Sequence, residues 1–191
     1  TFDPIHNGHL HIAYKALDTL NLDKVIFVPA GNPPLKESKK ITDANLRYEL
    51  VKLAIEKEKR FDISSYEIDK VGISYTYDTV KYFKELENNT KWYFIVGADC
   101  LMELDKWKNV DVIMKNSEFA VYSRPGYEKQ EIYQKKKSVE DKYGKKLNVI
   151  TTSTMDISST KIKEMVKKNL SIKDYLPENV YYTIEKIGLY K

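Results

Sequence analysis

Hydrophobic positions along the chain alternate between helical spacing and short continuous runs. Leu10, Ala13 and Leu17 recur at the spacing of one helix face, and an apolar run over residues 25–28 follows them. This order of helix and buried strand is repeated. The pattern predicts helices over 10–20, 44–57, 77–86, 101–107, 127–143, 159–168 and 178–186, and strands over 25–28, 61–68, 92–96, 119–122 and 147–150.

Strands separated by helices of this length predict a mostly parallel sheet, because parallel neighbours need a long return connection. We therefore predict an α/β fold with a doubly wound, mostly parallel sheet and C-terminal helices, in one domain over residues 1–191. Ligands of such sheets bind beyond the carboxyl ends of the strands. Candidate functional residues are thus expected where a strand passes into a helix.

Composition narrows the class of protein. Of the 191 residues 42% are hydrophobic, which excludes a disordered chain, and the single cysteine, Cys100, excludes an internal disulfide or a multi-thiolate metal site. One unpaired cysteine favours a reducing compartment, and we expect a cytoplasmic protein. The apolar runs are far shorter than the roughly 18 residues of a membrane span, so no membrane partner is expected.

Charge adds little to this picture. The net charge is only +4, and the lysines at 135–137 and 145–146 are interspersed with acidic residues. Such mixed clusters are typical of a solvated helix face, so nucleic acid is not expected as a partner. An RNA-binding protein remains a minor alternative, which predicts polynucleotide binding that weakens steeply with salt.

All three histidines lie within six residues, at positions 6, 9 and 11. If a helix begins near Gly8, His6 lies in the entering loop and His9 in the first turn, beside backbone N–H groups and the positive end of the helix dipole. Gly8 would let a ligand approach the backbone closely. The pattern is that of an anion site, although a capped helix with a polar first turn explains the histidines alone equally well, and His11 is assigned to that interpretation.

A metal site is the other interpretation of this cluster. A zinc or nickel ion would need His6, His9 and His11 to face one point, which this spacing at a helix start does not allow, and the single cysteine adds little. We therefore predict no metal ligands in the protein.

A second anion site is predicted far along the chain, where the segment ISSTKIK over 157–163 follows a strand and opens a helix. Ser158 and Ser159 can cap this helix, and Lys163 lies about one turn further on. Taken singly, the segment is better explained as a capped amphipathic helix. Two such helix starts together favour a ligand with several phosphates, such as a nucleoside triphosphate, and the absence of GxxxxGK[ST] excludes a phosphate-loop hydrolase.

These segments resemble the bacterial nicotinate-nucleotide adenylyltransferases of the nucleotidylyltransferase superfamily, which have a Rossmann-like fold. The similarity spans nearly the whole chain. It rests on five segments in the family's order, TFDPIHNGHL over 1–10, VPAGNPPLK over 28–36, SYTYDT over 74–79, FIVGAD over 94–99 with Leu101 and Trp107, and ISSTKIK over 157–163.

Three departures from the family pattern are visible. The glycine pair expected before Thr1 is absent, and we expect it to lie upstream together with a first strand. Leu35 stands where histidine is usual, which removes one phosphate donor. Lys163 replaces the usual arginine, keeping the charge but losing the two-pronged geometry of a guanidinium.

The resemblance implies adenylyl transfer from ATP to nicotinate mononucleotide, giving deamido-NAD and pyrophosphate, with magnesium carried by the ATP phosphates. No protein nucleophile is required, because the enzyme aligns the substrates and neutralises developing charge. The catalytic residues implied are His6, His9 and Lys163. The ATP-binding residues implied are Gly8, His9, Gly97, Asp99, Ser158, Ser159 and Lys163.

The residues implied for the nicotinate nucleotide are Thr76, Trp107 and Lys36, where Trp107 would stack on the pyridine ring and Thr76 would hold the carboxylate. Arg47 is interpreted as an ion-pair partner on a helix face. Alternatives are a sister enzyme that uses nicotinamide mononucleotide or phosphopantetheine, and a nucleotide-binding module that has lost catalysis. A homo-oligomer is left open.

Overall fold

A computed structural model of the protein describes residues 1–34, 41–123, 130–151 and 157–191. The chain divides into two compact units, one formed by Thr1–Ser74 with Met155–Lys191 and the other by Tyr75–Thr154. Helices alternate with strands whose neighbours are parallel, so the predicted α/β class is confirmed. The single domain over 1–191 stays a prediction.

The elements follow the predicted order closely. The helices of the described residues are α1 (Asn7–Leu20), α2 (Ala44–Ile55), α3 (Tyr66–Asp69), α4 (Thr76–Leu86), α5 (Ala98–Met102), α6 (Val110–Asn116), α7 (Gln130–Tyr143), α8 (Ser159–Lys167) and α9 (Glu178–Ile187). The strands are β1 (Val25–Phe27), β2 (Phe61–Ile63), β3 (Tyr93–Gly97), β4 (Glu118–Ser123) and β5 (Asn148–Thr151), and short 3₁₀ turns cover Leu104–Lys106 and Lys173–Tyr175.

The first unit is built on the parallel pair β1 and β2, in which Val25 lies opposite Phe61 and Phe27 opposite Ile63. Helix α2 starts after Asp43, whose carboxylate accepts a hydrogen bond from the Leu46 N–H at 3.1 Å and so caps the helix. Helix α2 packs against α9. The buried side chains of this unit include Ile5, Leu17, Phe27, Leu50, Val51, Ile157, Ile162, Val180 and Ile184.

The second unit contains a parallel three-stranded sheet in the order β3-β4-β5. Phe94 lies opposite Phe119, and Val121 opposite Val149. The described strands therefore form two separate sheets, one in each unit. The core of the second unit is made of Val80, Val96, Ala98, Leu101, Leu104, Val110, Ile113, Met114, Phe119, Val121, Val139 and Leu147.

Two predicted elements were wrong in part. The strand predicted over 61–68 ends at Ile63, because Ser64 accepts a hydrogen bond from the Tyr66 N–H at 3.2 Å and turns the chain into α3. The helix predicted over 101–107 is interrupted after α5, and α6 was missed. Asn109 takes a left-handed backbone conformation, with φ 51°. This conformation changes the direction of the chain, and α6 begins at the next residue.

Within the described ranges, no helix is both long enough and apolar enough to cross a bilayer.

Candidate active site

Helix α1 begins within residues 3–9, which we call the histidine turn, and His6 is its N-terminal flanking residue. The His6 N–H donates a hydrogen bond to Nδ1 of His9 at 3.2 Å. Because Nδ1 of His9 acts as an acceptor, the neutral ring carries its proton on Nε2. His9 therefore presents an Nε2–H donor at the start of a helix, where the helix dipole also favours an anion.

The ring of His9 is held between two neighbours. It stacks on the ring of His6, with centroids 3.7 Å apart, and it meets the edge of Phe2 at 5.0 Å. Phe2 in turn packs on Phe27 of β1. His6 is buried, whereas His9 is half-buried. The structure thus orients the His9 donor in advance of any ligand, which lowers the cost of ordering it.

Helix α8 is preceded by residues 157–159, which we call the serine turn. Ser158 caps the helix, because its Oγ accepts a hydrogen bond from the Lys161 N–H at 3.1 Å. This use of an oxygen lone pair leaves the Ser158 hydroxyl hydrogen able to donate. The side chain is exposed. Ser158 is therefore both the cap of α8 and a donor that could reach an anion at the end of that helix.

The start of α8 lies against the start of α1. Oγ of Ser159 donates a hydrogen bond to the Pro4 carbonyl oxygen at 2.9 Å, and Nζ of Lys163 lies 2.8 Å from Oδ2 of Asp3. A Cβ atom at Gly8 would lie only 3.1 Å from the Cγ2 of Ile157. The histidine turn and the serine turn are side by side within the first unit, as the sequence predicted.

These contacts show what Ser159 and Gly8, two of the predicted ATP-binding residues, do in the structure. The hydroxyl hydrogen of Ser159 is engaged by Pro4, so this side chain joins the two turns. Gly8 faces the ring of His6, since a Cβ there would lie 3.0 Å from Nδ1, and it lets the two turns approach each other. Contacts of either residue with ATP stay predictions.

Asp3 is the anionic centre of this cluster and was missed as a site residue. Its carboxylate is buried and accepts from Lys163 Nζ, from the Tyr190 hydroxyl at 2.9 Å and, weakly, from the Thr42 N–H at 3.5 Å. Burial raises the pKa of Asp3, but the hydrogen bonds from Lys163, Thr42 and Tyr190 outweigh it and hold the pKa below its usual value. Asp3 is therefore ionised at neutral pH.

Arg47 does not act as the predicted ion-pair partner on a helix face. It is fully buried, and its guanidinium donates to the carbonyl oxygens of Thr42 at 2.8 Å, Thr1 at 2.7 Å and Ala30 at 2.6 Å. Three carbonyls in three directions suit the planar fork of arginine. Burial lowers the pKa of Arg47 while Asp3 raises it, with a net lowering. Arg47 ties the N-terminal segment to β1 and α2.

Tyr190 is the second residue that the sequence analysis missed. Its hydroxyl donates to Oδ1 of Asp3, and its ring centroid lies 5.7 Å from Nζ of Lys163. The available local signal was Gly188, because glycine after a helix commonly ends it and turns the chain back. Nothing local indicated where the following tyrosine would dock.

The remaining predicted residues that the structure describes lie in the second unit. Thr76 is the first residue of α4, Gly97 ends β3 and precedes α5, and Asp99 is exposed in the first turn of α5. A Cβ atom at Gly97 would meet nothing within 4 Å, so open space lies beside this strand end. Open space at the carboxyl end of a parallel strand is where this fold class binds ligands.

Trp107 is half-buried and packs against the core of the second unit, with its ring 5.9 Å from that of Phe94. Part of this ring therefore has a structural role, and its stacking on a ligand stays a prediction. Lys36 and Leu35 lie outside the described residues. Among the residues that the structure describes, no group of three His, Cys, Asp or Glu side chains could hold a metal ion.

Comparison with known proteins identifies the family of the chain. Residues 1–165 match the cytidylyltransferase-like protein family. The proteins described as probable nicotinate-nucleotide adenylyltransferases of Clostridium tetani and Clostridium novyi are 53% and 50% identical over 191 residues, covering 100% of this chain and 96% of each relative.

Similarity to solved structures supports the fold. The Plasmodium falciparum nicotinic acid mononucleotide adenylyltransferase complexed with NaAD superposes with a TM-score of 0.77, at 21% identity, over 99% of this chain and 93% of that one. At this identity the similarity shows the Rossmann-like architecture alone. The full-length sequence relatives show more, and the chain belongs to the cytidylyltransferase-like family and, within it, to the nicotinate-nucleotide adenylyltransferases, which are nucleotidyltransferases.

Proposed function

We propose that the protein transfers the adenylyl group of ATP to nicotinate mononucleotide in NAD biosynthesis. A phosphate oxygen of the mononucleotide forms a bond to the α-phosphorus, the bond from that phosphorus to the bridging oxygen of the β-phosphate breaks, and pyrophosphate leaves with deamido-NAD as the other product. The observation that carries the proposal is the junction of α1 and α8, where Ser159 meets Pro4 and Lys163 meets Asp3. Two helix starts that lie side by side suit a chain of phosphates.

His9 is proposed to stabilise the transition state. Its Nε2–H donor is fixed by the hydrogen bond at Nδ1 and by the rings of His6 and Phe2. We expect this donor to contact a non-bridging oxygen of the α-phosphate, where negative charge develops. A pre-oriented donor stabilises that charge without reorganising during the reaction. His6 is proposed to support His9 and to contact the polyphosphate.

Lys163 and Ser158 are proposed to hold the β- and γ-phosphates that leave. Lys163 uses one N–H on Asp3, so its ammonium group retains two donors for a ligand. Ser158 retains its hydroxyl hydrogen, as its oxygen serves as the cap.

Magnesium is proposed to arrive with ATP. The carboxylate in the histidine turn, Asp3, is already engaged by Lys163, Tyr190 and Thr42, so it does not suit a metal ligand. Magnesium bound to ATP would neutralise part of the phosphate charge. His9, Ser158 and Lys163 would bind and orient the phosphates that carry it.

Each described residue of the second unit has its own proposed role. Gly97 would admit adenosine through the open space at its Cα, and Asp99 would accept from ribose hydroxyls. Thr76 would hold the nicotinate carboxylate at the start of α4, and Trp107 would stack on the pyridine ring. Lys36 is proposed to contact the same nucleotide, although it lies outside the described residues.

The cellular context is also a proposal. Cys100 is a free thiol, which suits the cytoplasm. Lys135, Lys136 and Lys145 pair with Asp105, Glu140 and Glu118, so these clusters offer less charge to a nucleic acid than their sequence suggests. ATP and nicotinate mononucleotide are the proposed partners, and a homo-oligomer is left open.

A competition assay tests the acceptor. The protein is incubated with ATP, magnesium and equal concentrations of nicotinate and nicotinamide mononucleotides, and dinucleotide products are separated and quantified. We expect deamido-NAD to dominate. A clear preference for the amide nucleotide would overturn the substrate assignment, and phosphopantetheine in a parallel reaction tests the third acceptor.

Release of pyrophosphate tests catalysis itself. Leu35 stands where the family pattern has histidine, and this departure is the reason to test for an enzyme that has lost catalysis. ATP binding without pyrophosphate release, with any of the three acceptors, would show a nucleotide-binding module in place of an enzyme.

A further inference from the structure

We propose that Tyr190 is a positioning residue of the phosphate site, which acts on Lys163 through Asp3. This inference rests on the proposed function. It concerns the last turn of the chain, 187 positions from the aspartate that it contacts. The order of contacts is from the Tyr190 hydroxyl to Oδ1 of Asp3, and from Oδ2 of Asp3 to Nζ of Lys163.

Asp3 is suited to transmit this contact because its Oδ1 is bonded to Tyr190 and its Oδ2 to Lys163, while Oδ2 also accepts weakly from the Thr42 N–H. Oδ1 accepts from Tyr190 at 2.9 Å and Oδ2 accepts from Lys163 at 2.8 Å. The side chain of Asp3 is 6% exposed, whereas that of Lys163 is 30% exposed. Rotation of the carboxylate would break both bonds, so anchoring Oδ1 fixes the direction in which Oδ2 holds the lysine.

The backbone brings Tyr190 to this point by an unusual route. Helix α9 ends at Ile187 and is followed by Gly188. The Gly188 N–H donates to the Glu185 carbonyl at 3.2 Å, and the Leu189 N–H donates to the Ile184 carbonyl at 3.1 Å. These two bonds reverse the chain. Tyr190 then takes a left-handed conformation, with φ 73°, which is unfavourable for a tyrosine and persists only where surrounding contacts hold it.

The ring of Tyr190 gives a second contact with the same lysine. Nζ of Lys163 lies 5.7 Å from the ring centroid, within the range of a cation–π interaction. A lysine has a flexible four-carbon stem and lacks the planar fork that would set its own direction. The carboxylate and the ring together restrict the ammonium group of Lys163 at the start of α8, which reduces the entropy lost when it binds a phosphate.

The first test is Tyr190→Phe, which removes the hydroxyl and keeps the ring. Tyr182→Phe on α9, where the residue is 54% exposed, is the matched control. Affinity for ATP and for inorganic triphosphate is measured by calorimetry, well below the melting temperature of each variant. We expect Tyr190→Phe to weaken both affinities about three- to tenfold, as for one lost hydrogen bond, and the control to leave them unchanged.

The second test separates positioning from a merely structural role. Tyr190→Phe is combined with Lys163→Ala, and triphosphate affinity is compared in a double-mutant cycle. If Tyr190 acts through Lys163, removing its hydroxyl has no further effect once the lysine is gone. An equal loss of affinity in both backgrounds would overturn the proposal. So would a lowered melting temperature with triphosphate affinity unchanged.

The two proposals can fail separately. Wild-type protein that binds triphosphate but forms no deamido-NAD would overturn the proposed function, and the double-mutant cycle would still decide the role of Tyr190. Wild-type protein that binds no triphosphate would overturn both. In a functional enzyme, we expect Tyr190→Phe to raise the KM for ATP and to leave the KM for nicotinate mononucleotide unchanged.

Discussion

The hydroxyl of Ser159 donates a hydrogen bond to the carbonyl oxygen of Pro4, 2.9 Å away and 155 positions earlier in the chain. This bond joins the turn that opens α8 to the turn that opens α1. Lys163, one helical turn after Ser159, adds an ion pair with Asp3, the residue before Pro4. The convergence on which the proposed phosphate binding depends is therefore made by side chains of one turn that contact the other turn.

Replacing His9 by alanine should lower kcat by about 10²–10³-fold, because it removes a donor aimed at developing charge. Since Nδ1 of His9 also accepts from the His6 N–H, a stability loss of about 1 kcal/mol should accompany it. His11→Ala, on the same helix, is the control and should retain activity. Steady-state kinetics and urea unfolding check both effects, and normal turnover of His9→Ala would contradict the proposed mechanism.

Asp3 should make stability depend on acid pH. Its pKa is lowered in the folded protein, so its contribution is present above the unfolded-state pKa, about 3.9, and is lost as pH falls through the lower folded value. Asp3→Asn should cost about 2 kcal/mol near pH 7 and flatten the acid limb of the stability curve. Urea unfolding between pH 2.5 and pH 7 measures this.

The control for this experiment is Asp105→Asn. The pKa of Asp105 is also lowered, by its hydrogen bond to Lys135, but the Asp105 carboxylate is exposed to solvent, which screens the interaction. We expect the stability of Asp105→Asn to fall with decreasing pH in the same way as that of the wild type. Parallel acid limbs for Asp3→Asn and the wild type would show that Asp3 is not the responsible group.

Two glycine substitutions should separate folding from binding. A Cβ at Gly31 would lie 2.0 Å from the Glu67 carbonyl oxygen, so Gly31→Ala should destabilise the protein by about 3 kcal/mol. Gly97→Ala adds a methyl group to open space and should leave the melting temperature unchanged while weakening ATP binding. Unaltered ATP affinity in Gly97→Ala would remove Gly97 from the proposed adenosine contacts.

Arg47 should not tolerate lysine. One ammonium group cannot reach the three carbonyls of Thr42, Thr1 and Ala30, so Arg47→Lys should cost about 3 kcal/mol of stability. Arg60→Lys is the matched control, since Arg60 forms an ion pair with Glu58 in which Arg60 is about half exposed, and this change should leave stability nearly unchanged. Chemical denaturation of both variants gives the comparison, and equal losses would contradict the buried role of Arg47.

The sequence by itself determined the elements and the chemistry that each could carry. Helical spacing placed α1 and α8, the serines of ISST marked a cap that Ser158 indeed forms, and the histidine turn was identified as a donor site. These features follow from local periodicity and capping, which operate over a few residues. Local signals failed where hydroxyls or a left-handed asparagine redirected the chain, at Ser64 and Asn109.

The sequence predicted that the two helix starts converge, but only the tertiary structure decided which side chains meet there. From the sequence, Asp3 was only a loop residue and Tyr190 only a residue after the last helix, yet the two share a hydrogen bond. Arg47 was expected on a helix surface, yet its side chain is buried and donates to three backbone carbonyls. Such contacts depend on how packed elements bring separate segments together, and any polar side chain in either segment could have been a candidate. Burial then removes water as a competing partner and makes each of these pairings necessary.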